Sequence, residues 1–584
     1  MQKRWLTILP LVIALLAIFT VIFDVGFEQS TTAVHILDLL YLFFLLFIVL
    51  HIPLRYILKT PVHQRLQVWI TDGILWVFYA LVFLSRFLDQ FAGQQPLPAL
   101  AQKIWLVPVF TFNLVREISR FGFWFRNRKI NPALLFVSSF FALITLGTFL
   151  LMMPRATHSG ISFTNAFFTA TSAVCVTGLI VVDTGTYFTQ FGQIFILLLV
   201  QLGGLGIMTF TSFFVFFFSG GTSFQSMIVI GHVTNENKIA RVFSTLFKIL
   251  VFTISFEAAG ILLVYLTLDG PEAAVPGGRL FFSVFHAISA FCNSGFSTLS
   301  TSFYDMDFRF NYSLHLVIAL LFVIGGLGFP VMFNCFNYLK HLVHKGLTKL
   351  NQEKKPYYHH HVINLNTRIV LLTTLILIVA GTVGFFMLEY GHTLSEHHGP
   401  GKLVTAFFSA VTPRTAGFNT VDTASLRLPT MLLVILLMWI GASPASTGGG
   451  VKTSTFALAV LNATSLIRGR DRVEIFRREI PAGSLHRASG FIILSLIVIA
   501  TAIFMLLLTD PDKSFSDVLF EVFSAFSTVG LSRGITGDLS LPGKWWIIIT
   551  MFIGRVGTLT FLVAFFRKPK STQYQLPTED ILIN

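Results

Sequence analysis

The chain has 584 residues, 54% of them apolar and only 12% charged, with a formal net charge of +14 and a mean hydropathy of +0.76. Soluble globular domains carry about 25% charged residues, so this composition excludes a water-soluble fold and places most of the chain in lipid. The positive balance does not call for a nucleic-acid partner, because the basic residues sit in loops that flank apolar stretches, the positive-inside distribution of a membrane protein.

Those loops hold Arg55, Lys59 and Arg65; Arg116, Arg120, Arg126, Arg128 and Lys129; Lys340, Lys345, Lys349, Lys354 and Lys355; Arg468, Arg470, Arg472, Arg477 and Arg478; and Arg567, Lys568 and Lys570. Between them lie acidic or neutral connections around Asp24, Glu272, Glu389 and Asp510, which are expected outside. Cys175, Cys292 and Cys335 are too few and too apolar in setting for a disulfide framework or a zinc site.

The first apolar segment, 5–23, follows Lys3 and Arg4 and is not followed by a small-residue cleavage pattern, so it reads as a retained anchor helix. With 36–58, 68–88 and 104–115 it makes an accessory block of about four transmembrane helices over residues 1–130, both of its ends inside. Long Phe- and Gly-rich apolar runs favour packed and broken helices over a β-barrel.

Beyond residue 130 one pattern occurs four times. Phe168, Phe285, Phe407 and Phe520 each stand ten residues before a glycine: Gly178, Gly295, Gly417 and Gly530. Three copies carry Ser-Ala at one offset (Ser172-Ala173, Ser289-Ala290, Ser524-Ala525), whereas the third has Val411-Thr412 followed by Pro413-Arg414. By difference of their numbers the glycines lie 117, 122 and 113 residues apart, so each unit holds several helices. The unit reads as helix, short half-helix, loop, helix. A half-helix of about 10–14 residues is too short to cross the bilayer and is re-entrant. Such backbone is tolerated at depth only where protein buries it or where it lines a water-filled cavity.

This gives four pore repeats at 131–236, 237–350, 351–480 and 481–584, the last with a cytosolic C-terminus, and twelve full spans in all. The second helices share glycine-rich midpoints at Gly203 to Gly206, Gly325 to Gly328, Gly441 to Gly450, and Gly554 to Gly557. The third reads as an unwound intramembrane loop, since Pro444 and the glycine run do not sustain a helix while Ser443, Ser446 and Thr447 can bond freed backbone.

To strip a cation of its water, a pore must present oxygens around an axis, and backbone carbonyls do this without a buried negative charge. The loop segments Val176-Thr177-Gly178, Cys292-Asn293-Ser294-Gly295, Thr415-Ala416-Gly417 and Ser527-Thr528-Val529-Gly530 are the candidate ion-binding filter, their glycines allowing adjacent carbonyls to face one axis. One such loop is ordinary helix packing; four at near-equal spacing are a pore. The predicted class is an all-α membrane protein with a pseudo-fourfold pore and no enzymatic activity, because clustered catalytic carboxylates, histidines or metal motifs at a membrane face are missing from the sequence. The repeats start and end inside, parallel rather than inverted, which sets them apart from many alternating-access carriers.

The motifs Thr171-Ser-Ala-Val-Cys-Val-Thr-Gly-Leu179, Gln201-Leu-Gly-Gly-Leu-Gly206, Thr412-Pro-Arg-Thr-Ala-Gly-Phe418, Ser443-Pro-Ala-Ser-Thr-Gly-Gly-Gly450 and Gly554-Arg-Val-Gly557 make residues 130–570 resemble the Trk/Ktr/HKT superfamily of potassium transporters. The resemblance implies K⁺ as substrate and no cofactor in this chain, with Na⁺ dependence left open and a Na⁺-coupled or Na⁺-permeable transporter as the alternative. It also implies a homodimer in a bacterial plasma membrane, both termini cytoplasmic, gated by a cytosolic ring of nucleotide-binding subunits. In such proteins serine at the first filter glycine favours Na⁺, so Gly178 points to K⁺. The gate implied is the loop holding Gly441, Ser443, Pro444, Ser446, Thr447, Gly448, Gly449 and Gly450, together with Arg555.

Arg555 has a second reading, in which it bonds helix-end carbonyls and locks repeats together. Glu257 and Glu521 are isolated intramembrane acids: Glu521 either draws cations toward the pore or makes a structural hydrogen bond. Lys452 after the glycine run fails the phosphate-loop pattern. His359 to His361 read as a solvated run or partner contact rather than a metal site.

Overall fold

The described helices are apolar on their outer as well as their inner faces. On α2 (Thr31–Ile57) Leu37, Phe44, Leu45, Ile48 and Ile52 are buried, while Ile36, Leu39, Phe43, Leu46, Leu50 and Leu54 are exposed. In water that outer face would be a continuous hydrophobic patch; in lipid it is matched to its solvent. The structure is a computed structural model describing residues 2–57, 66–92, 102–121, 132–205, 242–268, 275–350, 363–470, 472–558 and 561–562. The expected unit boundaries at 130, 236 and 350, Gly206, His359 to His361, and the basic residues Lys59, Arg65, Arg126, Arg128, Lys129, Lys354, Lys355, Arg567, Lys568 and Lys570 fall at or outside its limits.

The N-terminal block is α1 (Gln2–Gly26), α2, α3 (Leu66–Ala92) and α4 (Leu106–Phe121). Next come α5 (Pro132–Leu151), the half-helix α6 (Phe163–Val174) and α7 (Gln190–Gly204), then α8 (Val242–Thr267), the half-helix α9 (Arg279–Cys292), α10 (Tyr312–Leu327) and α11 (Phe329–Leu350). The third set is α12 (Leu365–Glu389), the half-helix α13 (Pro400–Val411), α14 (Leu428–Trp439) and α15 (Thr453–Ile467). The fourth is α16 (Ala482–Thr509), the half-helix α17 (Phe515–Ser527) and α18 (Leu541–Val556). The one departure from all-α among the described residues is a hairpin of β1 (Glu474–Ile475) and β2 (Arg478–Glu479), whose turn residues Phe476 and Arg477 have φ of 49° and 61°, the pair of left-handed positions that a two-residue hairpin turn requires.

Six described helices are long and apolar enough to cross a bilayer: Ile8–Gly26, Thr31–Ile57, Asp72–Phe91, Phe247–Thr267, Leu365–Glu389 and Ala482–Thr509. A seventh crossing is the pair Tyr312–Leu327 and Phe329–Val343, bent by 102°. The expected twelve full spans are therefore not reached among the described residues. The described parts of α4, α5 and α7 fall short of that length, α7 because the described residues end at Leu205, and the other second helices of the repeats, which the sequence reading took as mostly continuous, are interrupted. α10 turns sharply at Gly328, φ 82°, α14 stops at Trp439 after 12 residues, and α18 ends at Gly557, φ 86°.

A polar staple joins the C-terminal end of each repeat's first long helix, or the turn just after it, to the start of its second. Thr189 Oγ donates to Arg155 O (2.6 Å), and Asn311 Nδ2 to Thr267 O (2.8 Å). Glu389 accepts from Arg427 N (3.1 Å) and Thr430 Oγ (2.6 Å), and Asp510 from Ser540 N (2.6 Å) and Ser540 Oγ (3.0 Å). Glu389 is fully buried, and its other oxygen accepts from His392 Nδ1 and Thr393. Replacing it leaves the buried Thr430 hydroxyl without an acceptor, at a cost of about 1–3 kcal/mol, and breaks the bonds from Arg427, His392 and Thr393 as well. Glu389→Ala is expected to lower the melting temperature of the detergent-solubilised protein by several degrees, followed by size-exclusion fluorescence, with Glu389→Gln intermediate. A melting temperature equal to wild type would remove the staple from the stability of the third repeat.

Candidate pore and gate

The four half-helices are 12, 14, 12 and 13 residues long, about 18–21 Å at 1.5 Å per residue. Ser162 and Ser514 cap the first and fourth through Asn165 N (3.4 Å) and Asp517 N (3.2 Å). Every one runs directly into a candidate loop at its C-terminal end, where the helix macrodipole carries partial negative charge that favours a nearby cation.

The loops share one backbone conformation. Two residues before each glycine, φ is positive: 54° at Val176, 60° at Asn293, 88° at Thr415 and 50° at Thr528. The glycines follow at 90°, 69°, 82° and 95°. Left-handed backbone at a β-branched residue is a costly conformation, of order 1–3 kcal/mol, and persists only where the surroundings impose it. Alternation of left-handed residues turns successive carbonyls to the same side of the chain.

The loops also meet in cyclic order. A Cβ built on Gly178 would lie 2.2 Å from Ser294 O, on Gly295 3.0 Å from Ala416 O, on Gly417 2.1 Å from Val529 O, and on Gly530 2.2 Å from Thr177 O. Each glycine thus backs onto the carbonyl that precedes the glycine of the next loop, and the fourth closes onto the first.

Hydroxyls hold this ring from behind. Ser172 Oγ accepts from Gly178 N (3.0 Å) and Ser524 Oγ from Gly530 N (3.1 Å). Ser289 Oγ bonds Ser294 Oγ and Phe296 O, both 2.7 Å. In the third loop the hydroxyl has moved one residue along: Thr412 Oγ donates to Phe418 O (2.6 Å), the position Ser289 serves in the second. Asn293, with its amide oriented as the neighbouring carbonyls require, donates to Ala290 O and Phe322 O and accepts from Thr415 Oγ, each 3.0 Å, linking loops two and three.

Glycines of the second helices allow those helices to pack under the loops. A Cβ on Gly203, Gly325 or Gly554 would sit 2.1, 2.0 or 1.9 Å from Val174 O, Phe291 O or Phe526 O, each four residues before its filter glycine. The third repeat differs, because between α14 and α15 the chain unwinds over 440–452. Its ends are tied by Gly441 N to Val451 O (2.9 Å) and Val451 N to Trp439 O (3.1 Å). Ser443 N donates to Gly326 O (3.0 Å), and Ala445 O accepts from Phe329 N (3.3 Å). Pro444 O packs at Gly328, and Ser446 Oγ donates to Ser443 O (2.6 Å). Gly448 lies against Thr415, Gly449 against Thr528 and Gly450 against Ser527. The loop lies against the ends of the filter loops of repeats three and four and reaches repeat two.

Arg555 completes this contact. It is buried, and its guanidinium donates to Thr447 O in the unwound loop and to Gly203 O in the first repeat. These are the carbonyl bonds of the locking reading, and one of them holds the loop itself. Lys452 Nζ donates to Gly448 O.

Several groups here stood out in the sequence without their partners. Glu257, buried on α8, accepts from Gln201 Nε2 at 2.9 and 3.0 Å, and Cys292 Sγ lies 3.5 Å from Gln201 Oε1, so this cysteine packs behind its loop. Glu521 accepts from Ser532 Oγ (2.8 Å) and Thr536 Oγ, fixing the fourth half-helix to the segment after its loop. Arg414 is buried without a hydrogen bond or ion pair from its side chain among the described residues and faces a small cavity with Thr374, Gly326 and Ala442.

Comparison with known proteins gives the context of this geometry. Residues 123–575 match the family model TrkH, cation transport protein. The chain is 38% identical over 445 residues to Ktr system potassium uptake protein B of Bacillus subtilis, covering 76% of this chain and 95% of that one. It is 35% identical over 465 residues to the potassium/sodium uptake protein NtpJ of Enterococcus hirae, covering 78% and 98%. The crystal structure of the potassium transporter TrkH from Vibrio parahaemolyticus superposes with a TM-score of 0.59 at 19% identity, over 91% of this chain and 97% of that one, a likeness of fold. A multi-span membrane chain with this match over three-quarters of its length belongs to the TrkH family of cation transport proteins.

Proposed function

We propose that the chain takes up K⁺ across a bacterial plasma membrane through a gated pore whose filter is the ring of four loops. The observation that carries this is the cyclic seating of Gly178, Gly295, Gly417 and Gly530 on the carbonyls of Ser294, Ala416, Val529 and Thr177. Four loops of one conformation, each at a helix C-terminus, present backbone oxygens around one axis and replace hydration water without a fixed charge. The relatives named as potassium uptake proteins support K⁺ as the ion; the relative named as a potassium/sodium uptake protein keeps a Na⁺-permeable variant as the second reading.

The driving force is sufficient. One charge moving inward gains about 2.3 kcal/mol per 100 mV, so about 150 mV supports roughly 300-fold accumulation without ATP. In this reading 131–236, 237–350, 351–480 and 481–584 are the pore repeats, and the termini are cytoplasmic. The working assembly is a homodimer on a separate nucleotide-binding ring, which releases the loop at 440–452 from beneath the filter. Arg555 holds that loop shut, and its charge repels a resting cation.

Expressed with its cytosolic partner in a cell lacking K⁺ uptake, the chain is expected to restore growth at low K⁺ and to take up Rb⁺; failure of both rejects the K⁺ reading. Gly178→Ser puts a side chain against Ser294 O in left-handed backbone, and the K⁺ over Na⁺ preference is expected to fall roughly tenfold, about 1.4 kcal/mol. An unchanged ratio in tracer competition would take Gly178 out of the filter. Arg555→Ala removes two bonds to charge-assisted carbonyl partners, each about 1.5–3 kcal/mol, and partner-free Rb⁺ flux is expected to rise at least about tenfold. Equal flux would take Arg555 out of the gate.

A further inference from the structure

The N-terminal block lies almost wholly outside the family match, which begins at residue 123, and it contains two layers of paired charge on its helices and on the turn before α4. In the outer layer Arg86 pairs with Asp38 (3.1 Å), Lys103 with Asp24 (3.3 Å) and Asp38 (3.4 Å), and Tyr41 donates to Asp24 (2.9 Å). In the inner layer Arg55 makes a bidentate pair with Glu117 (2.7 and 3.2 Å), and Arg116 meets Asp72 (3.1 Å). On α2 the layers are 17 residues apart, Asp38 to Arg55, about 25 Å. An apolar layer of Phe44, Leu45, Ile48, Tyr79, Val82 and Phe110 separates them, with Phe110 packed edge-on against Phe44.

Charges in this setting are not there for stability, because well-packed apolar residues hold helices together as well or better. Intramembrane charges paired across helices mark ion pathways, relays or sensors of the membrane field. A relay needs a continuous polar path, and here the middle layer is apolar. An apolar layer between two polar ones is instead where the membrane potential drops. Of α2, α3 and α4, only α4 with the turn before it has excess positive charge: Lys103, Arg116 and Arg120 against Glu117, a net +2.

We propose that this block is a voltage-responsive module: α4 shifts along its axis with the membrane potential, carrying Arg116 between the inner acids and the apolar layer, and grades flux through the pore. The path to the pore is direct. α4 packs along α1, α1 ends with Gly26 against Met153, and Arg155 donates to Val25 O (3.2 Å). The carbonyl of Arg155 accepts from Thr189 at the start of α7 (2.6 Å), so the segment leading into the first half-helix feels the position of α1. The flux half of the proposal rests on the pore reading above; the movement half does not.

The test uses the full-length chain in proteoliposomes, with Gln102→Cys, at the exposed outer end of α4, carrying an environment-sensitive fluorophore, and potentials set by a proton gradient and a protonophore, which carries no Rb⁺. With a net charge of two crossing half the field, the fluorescence equilibrium is expected to change about 50-fold per 100 mV, and about sevenfold in Arg116→Gln. Arg116→Lys keeps the charge and restores the steeper curve, which a packing role would not do; Asp72→Asn shifts the midpoint. Fluorescence indifferent to voltage, or Arg116→Gln curves superimposing on wild type, overturns the proposal. So does Rb⁺ flux whose normalised voltage curve is the same in wild type and Arg116→Gln. Voltage-dependent fluorescence with no flux at any potential would instead reject the pore reading and leave the charge movement standing.

Discussion

Backbone forced into the left-handed region at four points is the constraint on which this molecule depends. Val176, Asn293, Thr415 and Thr528 all adopt it, although three of the four are β-branched and resist it. The rest of each repeat supplies the compensation: a short helix that fixes the loop's entry, a serine or threonine hydroxyl behind it, a glycine that backs onto the next loop and, in repeats one, two and four, a second helix thinned at one glycine to pass beneath. Removing any of these relaxes the loop toward ordinary backbone and turns its carbonyls away from the axis.

The repeats are equal at the ring and unequal below it. Repeats one, two and four place a glycine of the second helix under the half-helix end, whereas the third places an unwound loop there, seated on Thr415, Thr528 and Ser527. Symmetry suits a filter, where one ion must meet four similar partners. The proposed gate needs the opposite, a single element that can leave, and the unwound loop of the third repeat has few side chains in the way. Glycines at 448, 449 and 450 make that loop both close-fitting and soft.

Much of this was legible in the sequence because the ring depends on spacing. The ten-residue interval from phenylalanine to glycine survives in all four copies, and a single glycine run marked the unwound loop. What was not legible is carried by backbone. Arg555 bonds the carbonyls of Thr447 and Gly203, and every residue offers a carbonyl, so no pattern names the partners. The staples between first and second helices play the same part in each repeat but use Thr189, Asn311, Glu389 and Asp510, four residue types that no repeat search aligns. The bend at Gly328 was not legible either, because hydropathy measures length and apolarity, while the bend depends on a φ of 82°. In the N-terminal block the charges were visible, but their sorting into two layers requires knowing which helices are neighbours.

The closure of the ring within one chain has a consequence for how the protein is made. Gly530 seats on Thr177, and Arg555 bonds Gly203 across 352 residues of sequence. The first three repeats can enter the membrane with their loops formed but one side of the ring open to lipid. Only the last repeat to leave the ribosome supplies the wall that completes the axis. With the pore proposed above, the chain becomes ion-competent only at the end of its synthesis, and the membrane is not exposed to a half-built conduit while the earlier repeats wait.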